Sequence, residues 1–153
     1  MTSTATINAV TDAIITRLNT NVVALGNFIA IKERDQEPSV LAESASYLPV
    51  IVVMPLSNKV DTFTETIGTT GEIYHRFSFS ISGYYVFSGL DADIRTMRGY
   101  AYTCLDLFRG SNSQVSIAHV TGGTVDPGYF VLVDKPLYKW IVTLNMIMIE
   151  PPV

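Results

Sequence analysis

Residues 72–87 carry the clearest alternation of apolar and polar side chains in the chain. Ile73, Phe77 and Phe79 occupy odd positions, whereas Arg76 and the serines 78, 80 and 82 occupy even ones. Successive side chains of a strand point to opposite faces, so this alternation predicts a strand with one apolar face. At about 3.3 Å per residue it would extend roughly 50 Å, well beyond an ordinary strand. Gly83 marks the expected position of a bend or bulge.

Apolar side chains recur at spacings of three and four in two other segments, 5–19 and 90–108. This spacing places them on one stripe of a helix, so both segments are predicted helices. Asp91 and Asp93 suit the positive end of the second helix, and Gly110 is a typical stop signal.

The remaining apolar runs predict strands. The run 48–56 is apolar on both faces, which is typical of a strand covered from two sides. The other predicted strands are 24–31, 114–120 ending at Gly122-Gly123, and two limbs within 129–149 separated by a break at 134–136, with a turn at 126–128. Residues 60–71 are threonine-rich and predict the outer part of a hairpin that returns along 72–87.

These elements predict one α+β domain spanning residues 1–153, with a single, mainly antiparallel β-sheet, two helices packed on one face and a long protruding β-hairpin. The sequence predicts no third helix for the opposite face of the sheet. We therefore expect another copy of the protein to cover it. The charged segment 32–47 predicts a solvated loop or, alternatively, a loop that binds a partner.

Composition indicates either an unusually large apolar core or a surface that is partly covered by other chains. Charged residues make up 16% of the chain and apolar residues 48%, against about 25% charged in an average domain. The net charge of −4 without a basic cluster argues against specific nucleic-acid binding. The amino terminus does not read as a signal peptide and no apolar run approaches the ~20 residues of a membrane helix, so we expect an intracellular protein that does not bind membranes.

Residues that could carry chemistry are few and scattered. His75 and His119 are distant in sequence, and Cys104 is the single cysteine, so the sequence predicts no metal site, no cofactor and no catalytic residue. His75 lies in line with the apolar face of its strand and is expected in the core or the hairpin. Cys104 flanks a helical apolar stripe and is expected to be buried. We expect a protein that is not an enzyme.

The order of elements resembles a family of tailed-bacteriophage proteins. An amphipathic first helix, the Leu48-Pro-Val-Ile-Val-Val-Met-Pro55 strand, the Phe-Ser-Phe-Ser-Ile strand ending in Tyr84-Tyr85-Val86, the helix 90–108 and a last long strand pair are similar to a tail terminator protein. The resemblance is one of pattern and length over almost the whole chain, so no family residue transfers individually. It implies a ring, typically hexameric, that caps the tail tube, ends its polymerisation and joins the tail to the head.

The resemblance also implies the location and partners of the protein. It would lie in the tail or neck of a virion assembled in the host cytoplasm, and it would bind itself, the tail tube protein, a head completion or neck protein, and a sheath protein where the tail contracts. A head completion protein and a tail tube subunit are close alternatives, and a small ligand-binding domain or enzyme is a more distant one. The predicted subunit or partner contacts are Val60, Phe63, Glu65, Ile67, Glu33, Arg34, Asp35, Glu37, Met146 and Met148.

Overall fold

The computed structural model describes residues 4–32, 49–56, 61–64, 73–86, 91–132 and 136–150 of the 153-residue chain. Two helices lie within these ranges, α1 Thr4–Thr20 and α2 Asp91–Asp106, and both confirm the predicted helices within a few residues. The strands are β1 Ala30–Lys32, β2 Val50–Pro55, β3 Asp61–Thr64, β4 Ile73–Val86, β5 Gln114–Val115, β6 Ala118–Leu132 and β7 Pro136–Glu150.

All seven strands belong to one sheet with the order β1-β2-β4-β7-β6-β5, and β3 pairs with β4 beside β2. Every pair is antiparallel except β1 with β2. The single, mainly antiparallel sheet with two helices confirms the predicted α+β class.

The two long central strands, β4 and β7, pair without interruption from Ile73–Glu150 to Val86–Leu137. The predicted bulge at Gly83 is therefore wrong, because Gly83 stays in register with Ile51 on one side and Trp140 on the other. The reason for glycine here is space. A Cβ atom at this position would lie 2.7 Å from Nε1 of the Trp140 indole, whose ring covers the glycine.

One face of the sheet packs against the helices. Its core contains Phe79, Ile81 and Trp140 from the sheet, and every one of these side chains is fully buried. The helices contribute their apolar stripes, which are buried as their spacing predicts: Val10, Ile14, Leu18, Met97, Ala101, Cys104 and Phe108. The helix α2 packs on β6 and β7.

Arg17 ties α1 to the end of α2. Its Nη1 donates hydrogen bonds to the carbonyls of Leu107, at 3.1 Å, and Asn112, and its Nη2 donates to the carbonyl of Gln114 at 2.7 Å. The guanidinium also lies 5.2 Å from the centre of the Phe108 ring. One side chain therefore binds three carbonyls that follow the last turn of α2.

Two predicted strands differ from the structure. Of the predicted strand 24–31, only the last two residues are in a strand, which is β1 and continues to Lys32. The start of the segment differs because Val23–Leu25 form a 3₁₀ turn and Gly26 adopts a φ of 85° beneath the Tyr100 ring. The predicted strand 114–120 is instead a short hairpin, in which β5 pairs with the first two residues of the long strand β6. β6 continues through both glycine-containing turn signals, and register shifts at Val120/Gly122 and Asp126/Tyr129 absorb the extra residues.

The predicted hairpin is present in the part of it that the structure describes, residues 61–64 and the start of β4. β3 pairs antiparallel with the start of β4, from Asp61–Arg76 to Thr64–Ile73. The connecting residues 65–72 lie outside the described residues.

Candidate assembly surfaces

The predicted contact residues fall into two groups. Phe63 lies in β3, where its backbone pairs with Tyr74, and Met146 and Met148 lie in β7. The two methionines are only 2% and 1% exposed because they face the helices, so their side chains belong to the core of the protomer and not to a contact surface. The other predicted contacts lie outside the described residues: Val60, Glu65, Ile67, Glu33, Arg34, Asp35 and Glu37.

The second face of the sheet, opposite the helices, is partly buried within the single chain. Val50, Val52, Tyr84 and Leu137 form a separate apolar cluster on this face, and the Lys139 ammonium lies 4.9 Å from the centre of the Tyr84 ring. The expectation that another copy must cover this face is therefore wrong for this part of the sheet. Ser80 and Ser82 nearby are also buried.

Toward the start of β4 the same face is open and polar. Arg76 and Asn145 are exposed, and Ser78 donates a hydrogen bond of 2.8 Å from its hydroxyl to Oδ1 of Asn145. Thr124 and His119 of β6 are exposed on the same side. This region combines hydroxyl, amide and cationic groups at the surface, and it suits contacts that are more polar than a protein core.

A second candidate surface is the outer edge of β6. β5 pairs only with the first two residues of this strand, at Ala118 and His119, and no other described strand pairs with its outer side. The two register shifts leave the run 122–126 as an uninterrupted stretch between them. Pro127, which has no backbone N–H to donate, and the register shifts limit how far another strand could pair along this edge. An edge of this kind offers unpaired backbone groups to another chain.

A surface cavity of about 300 Å³ lies between α2 and the 3₁₀ turn. The rings of Tyr85 and Tyr100 stack beside it with centroids 5.4 Å apart, and the Tyr85 hydroxyl donates a 2.7 Å hydrogen bond to the Leu25 carbonyl. Burial raises the pKa of Tyr85, while the Trp140 indole acts in the opposite direction. Tyr85 is therefore a neutral structural group and not a proton donor at neutral pH.

Neither Cys104 nor His75 lines this cavity, although Cys104 is close enough to Tyr85 to affect the pKa of its hydroxyl. Cys104 is fully buried and burial raises the pKa of its thiol, so the reactive thiolate is disfavoured. His75 is 4% exposed, and burial is the main cause that lowers its pKa. It pairs across the sheet with Met148, whereas Tyr85 stands near the other end of β4. The histidine, the cysteine and the cavity therefore do not converge.

Within the described ranges, no group of three or more His, Cys, Asp or Glu residues is arranged to hold a metal ion. Those same ranges contain no helix that is long and apolar enough to cross a membrane.

The fold has a counterpart among solved structures. The chain is similar to a chain in the virion of a native gene transfer agent particle, with 16% identity and a TM-score of 0.54. The likeness covers 97% of this chain and 100% of that chain. No protein-family model and no curated protein matches the sequence. At this identity the likeness shows a common fold.

Proposed function

We propose that this protein is a structural component of a phage-like particle, and that it forms the ring that caps the tail tube and joins the tail to the head. The observation that carries the proposal is the common fold with a virion chain over nearly the full length of both proteins. The order of sequence elements, which resembles tail terminator proteins, supports the same assignment independently of that likeness.

The features of the protomer fit such a ring. Among the described strands, the sheet ends at β1 on one side and leaves most of the outer side of β6 unpaired on the other, so contacts between copies would join two different surfaces. Contacts of this heterologous kind close into a ring when the rotation between neighbours is a whole fraction of a turn. A closed ring of about six copies would give the tube a terminal layer. Its outer surface then meets the neck instead of another tube layer.

The first experiment measures the mass of the purified protein by light scattering at micromolar concentration, with negative-stain images of the same sample. The expected result is a ring with a central hole and a mass of about six protomers. A protein that stays monomeric both alone and when mixed with purified tail tubes contradicts the proposal. Long tubes instead of single rings would identify a tail tube subunit, and binding to heads without tubes would identify a head completion protein.

The predicted arm gives a second test. Deletion of residues 60–70 is expected to leave a folded protomer, because the described core is built mainly from the helices and from β2, β4 and β7, but to weaken the ring. Circular dichroism checks the fold and light scattering checks the assembly. An undiminished ring after the deletion removes the arm from the interface.

A further inference from the structure

The outward face of α2 carries an isolated positive charge on an acidic protein. Arg95 and Arg98 are exposed, and among the described residues neither forms an ion pair. Tyr102, one turn further along, is 51% exposed. The carboxylate of Asp106 is already bridged to Arg109. Two free guanidinium groups beside an exposed aromatic ring suit an acidic partner, because arginine binds carboxylates through paired hydrogen bonds.

Gly99 lies between these side chains in the middle of the helix. It is exposed, and a Cβ atom at this position would meet nothing within 4 Å, so packing inside the protomer does not require glycine. A glycine within a helix costs about 1 kcal/mol relative to alanine. Because glycine has no side chain, the backbone of a partner can approach the helix closely at this point.

The cavity beside Tyr100 continues this surface. Thr96 and Tyr100 flank Gly99 on the helix and line the cavity together with Asp93, Met97 and Val86. Val86 is 48% exposed at its rim. Basic groups therefore lie on one side of Gly99 and a recess of mixed character on the other, which fits a segment that places its carboxylates on the arginines and its aliphatic side chains against Met97 and Val86.

We propose that this α2 surface, formed by Arg95, Arg98, Gly99, Tyr102 and the adjoining cavity, binds the segment 33–43 of a neighbouring copy. That segment has the matching chemistry, since it carries the acids Glu33, Asp35, Glu37 and Glu43 with a single Arg34, and Val40-Leu41 between the last two acids. The inference rests on the proposed ring, in which copies contact one another.

The acidity of the chain as a whole favours a contact between copies. A basic surface of one copy that receives an acidic segment of the next is a heterologous contact, the kind that closes into a ring. The chain has a net charge of −4, so a basic patch that receives an acidic segment also offsets repulsion between copies.

The direct test measures binding of a fluorescent peptide with the sequence of residues 33–43 by anisotropy at low salt. The protein is the full chain carrying Glu33→Lys, Asp35→Lys and Glu37→Lys, so that its own segment no longer competes. We expect saturable binding that weakens as salt is added, and Arg95→Glu with Arg98→Glu should weaken it at least about tenfold. Arg109→Glu makes the same change in net charge as Arg98→Glu alone, beyond the end of α2, and should leave binding intact where Arg98→Glu weakens it.

Three results overturn the docking surface: no peptide binding, an equal loss in the control variant, or equally tight binding of a short DNA duplex, which would indicate a general anion site. The outcome is separable from the ring itself. Wild-type rings without peptide binding remove only the docking surface. Peptide binding by a protein that never forms rings removes the ring and leaves the surface as a pairwise contact.

Mixing experiments distinguish contacts between copies from contacts within one chain, which matters because Pro49 follows the acidic segment and also lines the cavity. One variant carries the reversed α2 arginines and the other carries the reversed acids. Each alone is expected to assemble poorly, and an equimolar mixture is expected to recover rings of alternating copies. Recovery only when both reversals are placed in the same chain would show that the segment binds its own protomer, and would overturn the proposal.

Discussion

Replacing Gly83 by alanine tests the packing at the centre of the sheet. The new methyl group would collide with the indole of Trp140, lying 2.7 Å from Nε1 and closer to two ring carbons. Real Cβ contacts are longer than 3.0 Å, so either the ring or the backbone must move. Trp140 is fully buried and Gly83 is paired on both sides, which leaves little room for either movement.

The expected cost follows from these opposing effects. Overfilling a packed core typically destabilises a protein by about 1–3 kcal/mol. Alanine also restricts the unfolded chain, and this returns about 0.4–1 kcal/mol where the backbone tolerates it. We therefore expect Gly83→Ala to lower the free energy of unfolding by about 0.5–2.5 kcal/mol, which corresponds to roughly 1–10 °C in Tm for a domain of this size.

Urea unfolding followed by circular dichroism measures this change, and the fluorescence of Trp140, the single tryptophan, reports the same transition in proteins that retain it. Gly99→Ala is the matched control, because its Cβ meets open space and the substitution should stabilise the helix by up to about 1 kcal/mol. In a Trp140→Leu background the cost of Gly83→Ala should largely disappear, since leucine lacks the colliding ring atoms. An unchanged cost in that background would refute the collision.

Three further predictions concern single side chains. His75→Leu should remove a pH-dependent loss of stability, because the pKa of His75 is lowered in the folded state. The stability that depends on neutral His75 is complete above the ordinary histidine pKa of about 6.5, and it declines as pH falls from there toward the folded-state pKa, by less than about 1.4 kcal/mol per pH unit. Urea titrations at pH 7.5 and 5.5 can measure this decline. Arg17→Met should cost about 1–3 kcal/mol by the same assay, and Arg17→Lys should recover less than half, because one ammonium cannot reproduce the fork that spans three carbonyls. Tyr85→Phe should cost about 1–2 kcal/mol through the unpaired Leu25 carbonyl, and an unchanged midpoint would contradict that role for the hydroxyl.

The elements with strong periodicity could be predicted from the sequence. The apolar stripes of α1 and α2 and the alternation along β4 each reflect burial against one neighbour, and local spacing records that burial directly. The double-sided burial of β2 was predictable for the same reason, since a continuous apolar run has no polar face to expose.

Features that depend on distant partners could not be predicted. Gly83 looked like a bend because the sequence does not show that Trp140, on another strand, needs its space. The glycine-rich stretches of β6 looked like turns, yet β7 holds them in one strand and two register shifts absorb the mismatch. Among the candidate contacts, Met146 and Met148 resembled a surface because their strand is apolar on both faces near its end, and only the pairing with β4 places both toward the helices.

The α2 surface was missed although the sequence contains a usable signal. Arg95, Arg98 and Tyr102 share one helical face, and Gly99 interrupts an otherwise ordinary helix on that face. A glycine that the protomer does not need, beside charges that the protomer does not pair, is more economically explained by a second molecule than by the fold. We expect such residues to act in contacts between copies of the protein. Substitution of Arg95, Arg98 or Tyr102 should therefore alter ring formation while changing the free energy of unfolding of the protomer by no more than a few tenths of a kcal/mol, as expected for surface positions without partners.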